Sequence, residues 1–302
     1  MFTKKFVNAY KKELNNEYRH FYDDIDEYGN KESELAIYFI EGINGVPGQI
    51  RFTFPSLFKK FGRDFYVKCL YLKEFSSKSK LWDKYTLTNL EKKRKQILSD
   101  LSTLTSNHKK IIIVCSSNGF YDFLYAYQTL PESIIEKSSL VWVSVAPDHF
   151  LPSKWGDRFY RYNGFKQNGH KWFAFPNSNL LKFMNPEVTY THKWDYKNRK
   201  KTFFKHDLEL RFKCFGLNWA YASIDCFNSM LTKIRSNVKE KIKMPTYILA
   251  ATNDGYWQGK PKSDIKAQID KYIVNKKIIY KNSSHLWVLT PDNVTELLNL
   301  IE

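Results

Sequence analysis

The chain has 302 residues, 43% hydrophobic and 17% aromatic content and a net charge of +17. That length is enough for one large core with an insertion, and no window is polar enough to read as disordered. No run approaches the ~18 uninterrupted apolar residues of a membrane span, and the lysine-bearing N-terminus lacks the apolar core and small-residue cleavage site of a signal peptide.

Residues 4–20 fit an N-terminal helix. After them, short apolar runs rich in β-branched and aromatic residues alternate with helical patterns. The runs are AIYFI (36–40), DFYVKCLYL (64–72), KIIIVC (110–115), SLVWVSVA (139–146), PTYILAAT (245–252) and KKIIYK (276–281). LTNLEKKRKQILSDLSTL (87–104) repeats apolar residues at helical spacing, with Thr88 as the expected N-cap and Glu91 completing a capping-box pattern. GFYDFLYAYQTL has a helical apolar distribution, and NVTELLNLI (293–301) closes the chain as a helix behind Pro291. Runs apolar on both faces, alternating with helices, predict a mostly parallel sheet covered on both sides, an α/β architecture.

The rhythm breaks over 148–244, which turns aromatic, lysine-rich and irregular. This stretch carries 19 Lys/Arg against 8 Asp/Glu, a net of +11 out of the chain's +17. It reads as an inserted, largely helical lid, so that 1–147 and 245–302 form the core. The four cysteines, Cys69, Cys115, Cys214 and Cys226, show no metal-ligand spacing. Cys69 and Cys115 fall inside apolar runs, as small buried hydrophobes do. With no HExxH and dispersed histidines, the simplest reading is a reduced, cytoplasmic chain without metal or cofactor.

The run IIIVCSSNGF (111–120) ends a buried strand in two serines and a glycine. In doubly wound sheets ligands bind outside the carboxyl ends of the strands, which is where this strand delivers Ser116 and Ser117. A strand, tight turn and helix in immediate succession strain the apical residue and expose its side chain. They also require small residues two positions either side, and Cys115 and Gly119 stand there around Ser117. Taken singly, such a serine pair is most often an ordinary turn. Its spacing is that of a nucleophile elbow, G-x-S-x-G, with cysteine in place of the first glycine.

At this point the sequence resembles the α/β-hydrolase superfamily, over roughly 35–147 and 244–302. IYFIEGINGVPG (37–48) resembles the strand and turn that supply part of an oxyanion hole, with Glu41-Gly42 where His-Gly is common. MPTYILAATNDGYW resembles the strand and loop carrying the triad acid, and NSSHLWVLTPDNVTELLNLI the loop carrying the histidine and the last helix. The resemblance implies an α/β-hydrolase fold and a triad in the order Ser117, Asp254, His285, separated by 137 and 31 residues. The first gap is long enough to hold the lid. Asp148, past SLVWVSVA, is the alternative acid, because some related enzymes carry it after that earlier strand. The roles implied are nucleophile for Ser117, base for His285 and orienting carboxylate for Asp254, with backbone N–H groups of Asn118 and Ile43 as oxyanion donors. Ser116 would cap or orient the turn.

The implied reaction is acyl transfer from serine, most simply hydrolysis of a carboxylic ester. Serine acyltransferases and thioesterases share these residues, and a non-catalytic binding protein would keep the fold without a connected triad. Trp155, Trp172, Trp194 and Trp219 of the lid, interleaved with lysines, could line a substrate pocket or form the lid's own small core. The lid charge favours a small or acylated anionic substrate or a peripheral membrane contact. No nucleic-acid-binding motif accompanies that charge, so no nucleic-acid partner is expected. The sequence leaves the oligomeric state open.

Overall fold

The computed structural model describes residues 27–42, 54–62, 64–72, 87–149, 228–252, 257, 262–283 and 291–301. The expected helix at 4–20 and most of the 148–244 insertion lie outside them. Seven strands are present among the described residues: β1 (Glu27–Gly29), β2 (Leu35–Ile40), β3 (Tyr66–Cys69), β4 (Lys110–Ser116), β5 (Ser138–Val143), β6 (Thr246–Ala251) and β7 (Lys276–Lys281). The helices are α1 (Phe54–Phe61), α2 (Leu87–Asn107), α3 (Gly119–Tyr127), α4 (Glu132–Glu136), α5 (228–237), α6 (Lys262–Tyr272) and α7 (Pro291–Leu298).

The strands form one sheet in the order β1-β3-β2-β4-β5-β6-β7. Only β1 is antiparallel, against β3; the other six run parallel. This is the expected mostly parallel sheet flanked by helices. The six apolar runs read from the sequence are its six parallel strands.

Strands β2 to β6 bury both faces, whereas β7 at the sheet edge is only partly buried, and the two-residue side-chain period divides each strand between two layers. On β2, Ala36, Tyr38 and Ile40 pack into one layer with α2, α3, α5 and α6, while Ile37 and Phe39 pack into the other with α1 and α7. On β4, Ile111, Ile113 and Cys115 face the first layer and Ile112 and Val114 the second. The Tyr38 hydroxyl, buried in this interior, donates to Asp100 Oδ2 of α2 at 2.8 Å, so the one polar atom of that ring is satisfied.

Three elements differ from their sequence expectation. Helix α2 begins at Leu87, so Thr88 lies inside it rather than ahead of it, and Glu91 accepts from Tyr125 and Arg94. Helix α7 begins at Pro291 itself, because proline's missing N–H costs nothing in a first helical turn. The run 139–146 ends as a strand at Val143, since Ser144 takes a φ of 58° that breaks the ladder. Among the described residues no helix is long and apolar enough to cross a membrane.

Candidate active site

All six parallel strands end at one edge, and the turn there between β4 and α3 carries Ser117. Its φ is 51°, in the left-handed region that a non-glycine residue occupies at a cost of order 1–3 kcal/mol. Ser117 is half-buried, whereas the flanking Cys115 and Asn118 are buried.

Two glycines make the turn sterically possible. A Cβ on Gly119 would lie 2.5 Å from the carbonyl oxygens of both Ile40 and Glu41, where β2 ends. A Cβ on Gly42 would lie 2.9 Å from Ser116 O and from Ser117 Cβ. The Glu41-Gly42 turn therefore sits directly against the serine turn. The described chain stops one residue short of Ile43.

Cys115, in place of the more usual glycine, is fully buried between Ile40 of β2 and Trp142 of β5 in register. Burial and the nearby Asp122 carboxylate push its thiol well above the ordinary range, so it stays a neutral, inert filler. Asn118 is the residue ahead of α3. Its side chain makes no capping bond, and its buried Oδ1 has no hydrogen-bond partner among the described residues.

The chain on either side of the other expected triad members also reaches this edge. Past β6, the Thr252 N–H donates to Lys281 O at 2.9 Å, joining the ends of β6 and β7. The indole of buried Trp257 donates to Val145 O at 3.0 Å, beyond β5. Asp254 falls between those two anchors and His285 two residues past Ser283. Both lie outside the described residues, as do Ile43, Trp155, Trp172, Trp194 and Trp219.

Asp148, the alternative acid, lies within a network of its own. Its Oδ2 accepts from Lys271 Nζ at 2.6 Å and from the Tyr272 hydroxyl at 2.7 Å, both on α6. With the Gln268 amide turned to satisfy all its neighbours, its nitrogen donates to Asp148 Oδ1 at 3.2 Å. The Asp148 backbone carbonyl accepts from Arg235 of α5 at 2.7 Å. Burial pushes the Asp148 carboxyl up, but the Lys271 and Tyr272 hydrogen bonds outweigh it and hold the group below the usual carboxylate range. Asp148 thus fastens α5 to the strand end through its backbone carbonyl and α6 through its carboxylate. Nothing in the sequence marked these partners, which are 87 to 124 residues away.

One further neighbour of Ser117 escaped the sequence reading. Trp142, fully buried on β5, donates its indole N–H to Ser117 O at 3.0 Å and stacks on Phe120 with centroids 3.7 Å apart.

No protein-family model matches the chain, and no curated protein sequence matches it. Solved structures do resemble it. A monoacylglycerol lipase of Paleococcus ferrophilus superposes with a TM-score of 0.54 at 16% identity, covering 91% of this chain and 95% of that one. One of the metagenome-derived lipolytic enzymes LipS and LipT gives 0.52 at 14% identity, covering 92% and 96%. The haloalkane dehalogenase DpaA of Paraglaciecola agarilytica NO2 gives 0.50 at 13% identity, covering 90% and 86%. At such identities the likeness speaks to the fold alone, and it agrees with the strand order and the strained turn between β4 and α3: the chain has the α/β-hydrolase fold.

Proposed function

We propose that the protein is a serine hydrolase that cleaves a carboxylic ester through Ser117, His285 and Asp254. The observation that carries this reading is the left-handed Ser117 at the apex of the β4-α3 turn, with Gly42 and Gly119 packed against it. Strain of that kind persists only where the surroundings over-determine it, and it concentrates at functional sites. The lipolytic enzymes among the similar structures support the same reaction class. The dehalogenase among them is a reminder that this fold hosts more than one chemistry.

In the proposed mechanism His285 takes the hydroxyl proton as Ser117 Oγ attacks the ester carbonyl carbon. The carbonyl oxygen becomes an oxyanion held by the N–H groups of Asn118 and Ile43, each such donor contributing about 3 kcal/mol. Collapse breaks the bond to the alcohol oxygen, which leaves with the proton from His285. Water then attacks the acyl-enzyme by the same route and frees the acid. Asp254 fixes the imidazole tautomer and stabilises the imidazolium. Transfer to an alcohol, amine or thiol in place of water would make the same residues an acyltransferase. The charge of 148–244 favours an anionic substrate, or contact with an anionic membrane surface.

A fluorophosphonate probe tests the nucleophile, since an activated serine displaces fluoride from its phosphorus. The native protein is expected to react and Ser117→Ala to stay unlabelled. Equal labelling of both would remove Ser117 from the chemistry, and no labelling of either would point to a hydrolase-fold binding protein. With an imidazole as the base, kcat/KM should fall as pH drops through about 6.5, where histidine takes up its proton. A profile flat from pH 8 to 5 would exclude a histidine base.

A further inference from the structure

We infer that Trp142 is a positioning residue for the nucleophile, holding the Ser117 backbone in its left-handed conformation from the neighbouring strand. This rests on Ser117 as the nucleophile. A residue at a φ of 51° relaxes toward ordinary backbone unless both of its peptide groups are held. Strand β5 supplies both holds. The Ser117 N–H donates to Val143 O at 2.8 Å, and the Ser117 carbonyl accepts the Trp142 indole N–H at 3.0 Å.

The two bonds come from consecutive residues of β5 and grip opposite sides of one residue, so rotation about its φ and ψ would break one or the other. The register makes this possible: Trp142 pairs with Cys115 and Val143 with Ser116, which puts both beside the point where β4 turns away. The indole is itself immobilised. It is fully buried, stacked on Phe120 at an interplanar angle of 8°, and met edge-on by Tyr121 at 6.1 Å. Phe120 and Tyr121 belong to the first turn of α3, so one side chain ties the helix start and the serine carbonyl to the same strand. The first α3 bond already begins beyond the serine, from the Tyr121 N–H to Asn118 O at 2.9 Å. A buried N–H aimed at that carbonyl has a geometric role that an apolar ring of similar size could not fill.

The test compares the fluorophosphonate labelling rate and the ester-hydrolysis constants of Trp142→Phe with those of Val141→Ala. Phenylalanine keeps a ring against Phe120 but deletes the donor and part of the buried ring, so a control that loses only packing is needed. Val141, one residue earlier, packs into the opposite layer, so its truncation lowers stability without touching the serine carbonyl. Trp142→Phe is expected to slow labelling and kcat about tenfold, the rate equivalent of one hydrogen bond, with KM within twofold. Val141→Ala should lower Tm comparably and label at the native rate. Equal slowing in both variants would reduce Trp142 to packing and overturn the inference.

Should Trp142→Phe not fold, the native protein with ¹⁵N-tryptophan still decides. The indole N–H that shows NOEs to the Phe120 ring is expected to exchange slowly and to shift when Ser117 is phosphonylated. Exchange as fast as that of a solvent-exposed indole would overturn the inference. If the native protein is not labelled at all, the nucleophile assignment itself fails. If it is labelled, and Trp142→Phe equally fast, only the role of Trp142 fails.

Discussion

Ser117→Ala is expected to lower kcat for ester hydrolysis by on the order of 10⁶, and the double variant Ser117→Ala, His285→Ala by no more than that. The equality is the sharper half of the expectation. A base whose only task is to take the serine's proton has nothing left to do once the hydroxyl is gone, so the losses cannot multiply. Asp254→Asn should cost about 10⁴ in kcat, because an amide at that position favours the wrong imidazole tautomer. Asp148→Asn should leave kcat within a few-fold while lowering stability, because its carboxylate is bound to Lys271, Tyr272 and Gln268. Steady-state kinetics of the four variants on a chromogenic ester checks all of this. Multiplicative losses in the double variant would separate Ser117 from His285, and a collapse of kcat in Asp148→Asn would move the acid to the earlier strand.

Gly119→Ala is expected to destabilise the protein by about 3 kcal/mol and to slow serine labelling with it. Two effects oppose each other. Alanine is favoured over glycine inside a helix by about 1 kcal/mol, and less in a first turn. Against this, the new Cβ would sit 2.5 Å from two backbone carbonyls, Ile40 O and Glu41 O, and neither can swing aside as a side chain can. The end of β2 would have to move away from α3, carrying with it the chain that leads to Ile43, the proposed second oxyanion donor. The clash therefore wins. Gly62→Ala is the contrast: its φ of 70° makes alanine costly by about 1–2 kcal/mol, but nothing lies within 4 Å of the new atom and the site is remote. Denaturant midpoints and labelling rates of the two variants separate strain alone from displacement of the β2 end. Native-like labelling by a folded Gly119→Ala would mean that the spacing of β2 and α3 does not govern the site.

The features legible in the sequence were those written into one stretch of chain. A run of isoleucines marks a strand buried on both faces, and the small residues around Ser117 mark a strand turning straight into a helix. The mostly parallel sheet follows from six apolar runs that alternate with helices. What escaped the reading depends on partners far along the chain. Asp148 shows in the sequence as a lone carboxylate, and its bonds to Arg235, Lys271 and Tyr272 exist only once the chain has folded. Trp142 is one more apolar residue in VWV until the register sets its indole under Ser117 O. Strand β1 has only three residues and leaves almost no periodic trace. Helix α6 did leave one, in Ile265, Ile269 and Tyr272 at helical spacing, but the lysines and acids between them dilute it.

The knot around Asp148 also bears on how this chain can vary. Its peptide oxygen and the guanidinium of Arg235 touch, although 87 residues separate them. The chain ahead of residue 150 and the chain after residue 227 are thus moored to a common post. Joined in this way, the two chain ends hold their place on the sheet independently of the sequence between them, so a change in that length need not disturb the packing beneath.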